Sequence, residues 1–147
     1  MKDTIDRFRS VLERATGKLA RIGESESKVP LAPGKWSRKQ ILGHLIDSAA
    51  NNHQRFVRAQ LEPALRFPGY AQAQWVSVQN YQEETWGYLL ACWAGYNRHL
   101  LHVLAQIPAE MLPRTCVIGN GQPVTLEFLA KDYVEHLEHH LRQILDE

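Results

Sequence analysis

Three histidines fall within one and a half helical turns of the C-terminal stretch Asp132-Tyr-Val-Glu-His-Leu-Glu-His-His-Leu-Arg-Gln-Ile144. At 3.6 residues per turn, His136 and His140 are only about 40° apart around a helix axis, so both imidazoles can reach one point in space. That is how a helix offers two nitrogens to a metal ion. Leu129, Tyr133 and Ile144 share their face at spacings of three and four residues, which puts the pair on the stripe that should be buried. A buried imidazole costs a few kcal/mol unless each ring nitrogen finds a hydrogen bond or a cation. The pair therefore reads either as hydrogen-bonded core histidines or as half of a metal site. His139 lies about 60° from His136 and about 100° from His140, too far round to join both as a ligand, and is read as a flanking residue.

A third histidine has a strongly marked helix around it. Ser37 followed by Gln40 is a capping box, and Trp36 before it can pack on Ile41 as a hydrophobic staple. The helix that follows runs to about Gln60, with Ile41, His44, Leu45, Ser48, Asn52 and Phe56 along one side. His44 thus faces the core. Its neighbours Ser48, Ala49, Ala50, Asn51 and Asn52 are small or polar, which leaves room beside it for something that is not protein. His53, about 180° away around the same helix, is expected in solvent.

The remaining elements must bring these two helices together. Ile5, Phe8, Leu12, Ala15 and Leu19 give the first helix, Asp3 to Ile22, closed by Gly23. Residues 24–35 read as a polar connecting loop, and Pro63 with Phe67-Pro-Gly-Tyr70 as a second break. Trp86, Leu89, Leu90, Trp93, Asn97, Leu100 and Leu104 mark the third helix, expected from near Ser77 to about Gln106, with Tyr70 and Trp75 in the preceding loop or a short helical turn. Its tryptophans read as core, and His99 and His102 as surface residues. Thr115 to Val124 carries two β-prone arms around Gly-Asn-Gly, a small hairpin, after which Thr125 caps the last helix. Four amphipathic helices make an all-α four-helix bundle with a short β-hairpin between helices three and four the economical fold.

Length and charge limit the functions open to such a chain. Its 147 residues suit one domain, 1–147. A net charge of +1 with interleaved signs provides no field for nucleic acid or an anionic membrane. The longest uncharged apolar stretch, Tyr88 to Tyr96, is far short of the roughly 20 residues that span a bilayer. The N-terminus lacks the apolar core of a secretory signal, so a cytoplasmic protein is expected. Cys92 and Cys116 are far apart and suggest neither a disulfide framework nor a thiolate metal site.

Inside a bundle, His44 would meet His136 and His140. Three neutral imidazoles with a position left open suit a divalent metal such as zinc, nickel or iron(II). The two histidine stretches, Trp36-Ser-Arg-Lys-Gln-Ile-Leu-Gly-His44-Leu-Ile-Asp-Ser48 and Asp132 to Ile144, together resemble the DinB/YfiT-like superfamily of metal-binding four-helix bundles over nearly the whole chain. The resemblance implies that His44, His136 and His140 bind a divalent metal. It further implies a thiol-dependent transferase, or a related hydrolase, acting on a small molecule with a low-molecular-weight thiol as partner. No individual catalytic residue follows from it. The alternative is a non-catalytic metal-binding or stress-response bundle. Asp47 and Asp132, each one turn from a histidine, are candidates to accept the second ring N–H of a ligand, and Tyr133 and Asn52 candidate pocket walls. Trp75, Trp86 and Trp93 exceed what a thin bundle needs, which would suit a homodimer contact.

Overall fold

The computed structural model describes every residue from Met1 to Glu147. Six helices and three short strands follow in the order α1 (Lys2–Leu19), α2 (Glu24–Ser27), α3 (Arg38–Leu61), β1 (Ala64–Phe67), α4 (Gln72–Gln79), α5 (Trp86–Ala105), β2 (Thr115–Ile118), β3 (Val124–Thr125) and α6 (Leu126–Leu145). Two single 3-10 turns, Tyr81–Glu83 and Ala109–Met111, lie between them.

The four long helices form the bundle. α1 packs on α5 and α6, and α3 packs on the same two, so α1 and α3 occupy one diagonal while α5 and α6 occupy the other. Two of the three connections between successive long helices therefore cross the bundle, and both are long segments with structure of their own. Phe8, Leu19, Leu42, Leu45, Phe56, Trp93, Leu100, Leu137 and Ile144 are among the 27 apolar residues of one continuous core.

The marked helix starts are where the sequence put them. At Ser37 the hydroxyl accepts from the Gln40 amide while the Gln40 side chain accepts from the Ser37 amide, a complete capping box. Thr125 likewise accepts from the Phe128 amide at the start of α6.

Three expectations need correcting. Residues 24–35 are more than a loop, because α2 presents Glu24 to the Lys39 ammonium, and the second Glu24 oxygen accepts from the Trp86 amide at 2.7 Å. A carboxylate from a distant segment thus caps the N-terminus of α5. Helix three does not begin near Ser77. α4 stops at Asn80, which takes a left-handed φ of 51°, and α5 begins afresh behind the Thr85 cap. The small sheet also has a third member, which makes the fold mostly helical rather than all-α: β1 runs parallel to β2, and β2 antiparallel to β3. Arg114 fastens this sheet to the bundle by donating to the Ala59 and Gln60 carbonyls at the end of α3. Gly119, at a φ of 57°, turns the chain back and donates its amide to the Phe67 carbonyl.

Trp86 and Trp93 are buried within the monomer core, and Trp75 is 38% exposed. Most of the aromatic surplus is thus consumed inside one chain. No helix is long and apolar enough to cross a membrane.

Candidate metal centre

Side chains from α3 and α6 converge between the two helices. His44 is fully buried, and His136 and His140 are half-buried. The potential ligand nitrogens of the three all lie within 4.8 Å of one another. The Nε2 atoms of His44 and His136 are 3.1 Å apart. Two nitrogens bound to one ion at zinc-like distances would be separated by about 2.9 Å at a right angle and about 3.4 Å at the tetrahedral angle, so the observed spacing already falls in the ligand range.

The electrostatics favour the protonation state that ligation requires. Burial, reinforced by the neighbouring imidazoles, pushes His44 and His136 down to about 4, and burial also lowers His140. All three are then neutral at physiological pH, with a lone pair available. In the absence of an ion, three neutral rings meet with few groups to satisfy them, and His44 Nδ1 is buried without a partner. The donor set and its geometry fit a divalent cation.

Sequence spacing did not single out the residue that fixes one of these rings. Gln143, one turn beyond His140, bonds the His140 Nδ1 through Oε1 at 2.8 Å, while its Nε2 meets His139 Nε2 at 3.1 Å. With Nδ1 donating to an amide oxygen, His140 is left with Nε2 as the free nitrogen. His139 is exposed and held by Gln143, in agreement with its flanking placement. Trp36 tilts against His44 with ring centres 5.5 Å apart, an anchor for the most buried ring.

The two acidic candidates behave differently from expectation. Asp47 turns away from His44: its Oδ1 accepts from Tyr81 Oη at 2.7 Å and Gln79 Nε2 at 2.8 Å. Its Oδ2 is buried without a partner, and burial raises its pKa. The physical reason is Gly43. A Cβ there would come within 2.1 Å of the Tyr81 ring, so the missing side chain lets Tyr81 lie flat on α3 and claim the carboxylate. Asp132 makes no hydrogen bond to His136; it shares a cavity wall with it. His53 is half-buried instead of free in solvent, bonded to Tyr96 Oη at 3.2 Å.

Two cavities flank the trio. One, of about 260 Å³, is polar and reaches His136; Ser48, Asn52, Arg55, Tyr70, Asp132 and Tyr133 are among its walls, as expected for Asn52 and Tyr133. The other, of about 550 Å³, reaches His140 and Gln143 and is lined by Leu31, Trp36 and Ile41 together with Gly34 and Lys35.

Comparison with known proteins follows the same lines. A family model described as the DinB superfamily matches residues 2–144. Among solved structures, YfiT from Bacillus subtilis, described as a probable metal-dependent hydrolase with an unusual four-helix bundle topology, is similar with a TM-score of 0.83 and 23% identity over 99% of this chain and 86% of its own. A mycothiol-dependent maleylpyruvate isomerase is similar with a TM-score of 0.78 and 11% identity; 97% of this chain matches, spanning 60% of the isomerase. At such identities the likeness is one of fold. No curated protein matches the sequence.

Proposed function

Because the chain belongs to the DinB superfamily, we propose that His44, His136 and His140 hold one divalent metal and that the protein is a metal-dependent enzyme acting on a small molecule, most simply a thiol-dependent transferase. The observation that carries this reading is the convergence of three neutral imidazoles from two helices, with two ring nitrogens 3.1 Å apart. A metal so held supplies Lewis acidity, lowering the pKa of a coordinated thiol or water.

The protein's own groups supply the rest. Only three ligand side chains gather, since Asp47 is engaged by Tyr81 and Gln79 and His139 by Gln143, which leaves coordination positions for a substrate. Gln143 holds the His140 ring in one tautomer. The two cavities open on different histidines, an arrangement suited to two reactants meeting at one centre. Leu31, Trp36 and Ile41 give the His140 side an apolar wall against which the alkyl part of a thiol would pack. The small polar cavity beside His136 suits the electrophile.

A hydrolase is the second reading, favoured by the fuller match to YfiT, of which this chain covers 86% against 60% of the isomerase. Metal analysis of protein purified without a histidine tag tests the common premise: about one equivalent per chain is expected in the wild type and none in His44→Ala. Turnover of ester or amide substrates without added thiol would favour the hydrolase, and turnover of electrophiles only with thiol the transferase. A metal-loaded protein inert to both sets would remove the enzyme reading.

A further inference from the structure

The polar cavity contains a cation that the fold leaves without a counter-ion. Arg55 follows His44 by eleven residues on α3, which returns it to within about 20° of the same face, some 16 Å further along the axis. Both therefore look toward α6, and Arg55 and His136 line one cavity. The Arg55 side chain is half-buried; its Nη1 reaches only Asn52 Oδ1 at 3.4 Å, and its Nε is buried with no partner. Its guanidinium lies over the Phe67 ring, 5.7 Å from the centre, which fixes the plane without neutralising the charge.

The contrast with Arg38, at the other end of the same helix, is informative. Arg38 is similarly half-buried and reaches two carboxylates, Asp146 at 2.6 Å and Glu26 at 3.7 Å, as well as the Ile144 carbonyl. Arg55 has no ion pair at all. Asp132 lines the same cavity and acts on Arg55 through space, yet the two do not meet. Desolvating a guanidinium without an anion is unfavourable, and a planar cation with open N–H groups in a concave polar site matches a planar anion.

We propose that the cavity beside His136 is a carboxylate subsite, in which Arg55 binds a carboxylate group of the substrate while the reacting end of that substrate lies at the three histidines. This rests on the metal-centre reading for the position of the reacting end; the carboxylate contact itself does not need the metal. The cavity that Arg55 and His136 share, about 260 Å³, sets the class: small carboxylic acids whose carboxylate is several bonds from the reacting carbon. Ser48, Asn52 and Tyr70 offer polar groups along the way.

Isothermal titration of dicarboxylates from glutarate to suberate, and of the neutral diamide adipamide, into metal-free and zinc-loaded protein separates the two readings. At least one dicarboxylate is expected to bind the wild type and adipamide to bind far more weakly. Arg55→Met should weaken the dicarboxylate roughly ten- to a hundredfold, with Arg55→Lys between. The zinc content of both variants should equal that of the wild type. Arg55→Met should also melt no lower than the wild type, because it removes an unsatisfied buried N–H and keeps an apolar stem over Phe67. The proposal is overturned if no dicarboxylate binds the wild type in either form, if Arg55→Met binds as tightly, or if Arg55→Met is strongly destabilised. A wild type that takes up no zinc but still shows Arg55-dependent dicarboxylate binding would remove the metal-centre reading and leave the subsite standing.

Discussion

Two clusters of buried polar side chains sit about one and a half turns apart on α3, and they are built on opposite plans. Lys39 is fully buried, and its ammonium is matched by the Glu24 carboxylate and by the carbonyls of Gln82 and Glu84. His44 is equally buried, but it faces two more imidazoles and keeps an orphaned nitrogen. In the first cluster the charge and donors find complementary partners and the result is a joint between α2, α3 and the start of α5. In the second, like groups are pressed together, with the Nε2 atoms of His44 and His136 3.1 Å apart and His44 Nδ1 left without a partner, an arrangement that a bound cation would complete. The difference separates polar burial that the fold satisfies from polar burial that the fold leaves partly unsatisfied.

The largest effect that could break this contrast is at Lys39. Lys39→Ala removes a fully buried cation and leaves the Gln82 and Glu84 carbonyls without their donor, while Glu24, half exposed, keeps Lys28 and the Trp86 amide, so it should destabilise the protein by about 2–3 kcal/mol. Chemical denaturation would measure it, and the metal content of the folded fraction should be unchanged. His44→Ala should do the reverse, abolishing metal uptake while the metal-free protein keeps most of its stability. If Lys39→Ala proved neutral, or His44→Ala unfolded the metal-free chain, the two clusters would not differ in kind.

The two plans also differ in how far the sequence revealed them. His44, His136 and His140 could be placed on the buried stripes of their two helices because helical spacing is a local property, and the capping box at Ser37 and the cap at Thr125 are equally local. Thr85 is a cap of the same kind, and a helix start placed near Ser77 runs past it. The Lys39 joint could not be read, since Glu24 is fifteen residues away and its second partner is the amide of Trp86. Strand β1 escaped for the same reason: Ala64–Phe67 is too short to announce itself and exists because β2 pairs with it from fifty residues downstream. Asp47 has the spacing to support His44, but a glycine at 43 hands it to Tyr81. Arg55 carries no distinguishing pattern in the sequence; only the absence of a partner in three dimensions marks it.

Acid sharpens the comparison at the histidines. Their folded-state values of about 4 for His44 and His136 lie below the ordinary 6.5, so the unfolded chain binds more protons between those two pH values. The stability these neutral rings allow is fully present above about pH 6.5 and is lost as pH falls toward 4. A metal-free sample should therefore lose a few kcal/mol across that window, and His44→Ala should lose visibly less. Bound metal adds to the slope, because protons compete with it for the same nitrogens. Melting curves at half-unit pH steps, with and without chelator, would show both effects, and identical curves for the wild type and His44→Ala would contradict the buried-neutral assignment.

The smallest effect is expected at Gln143, and it tests whether the histidine cluster has any supporting structure of its own. The side-chain amide accepts from His140 Nδ1 on one side and meets His139 on the other, so it fixes which nitrogen of His140 faces its neighbours. Its contribution to folding should be slight, because its partners are reached at the bundle surface, where water can replace it. Its contribution to metal affinity should be larger, since an unfixed ring must be oriented and desolvated when the ion arrives. Gln143→Ala is expected to weaken zinc about tenfold in a competition assay with a chromophoric chelator while shifting the metal-free melting temperature little. Gln143→Glu, which keeps the acceptor and adds charge, should restore the affinity or exceed it. An alanine variant with unchanged zinc affinity would mean that packing against His44 and His136 alone aligns His140, and that the orientation of this ring is set from the core side of the cluster.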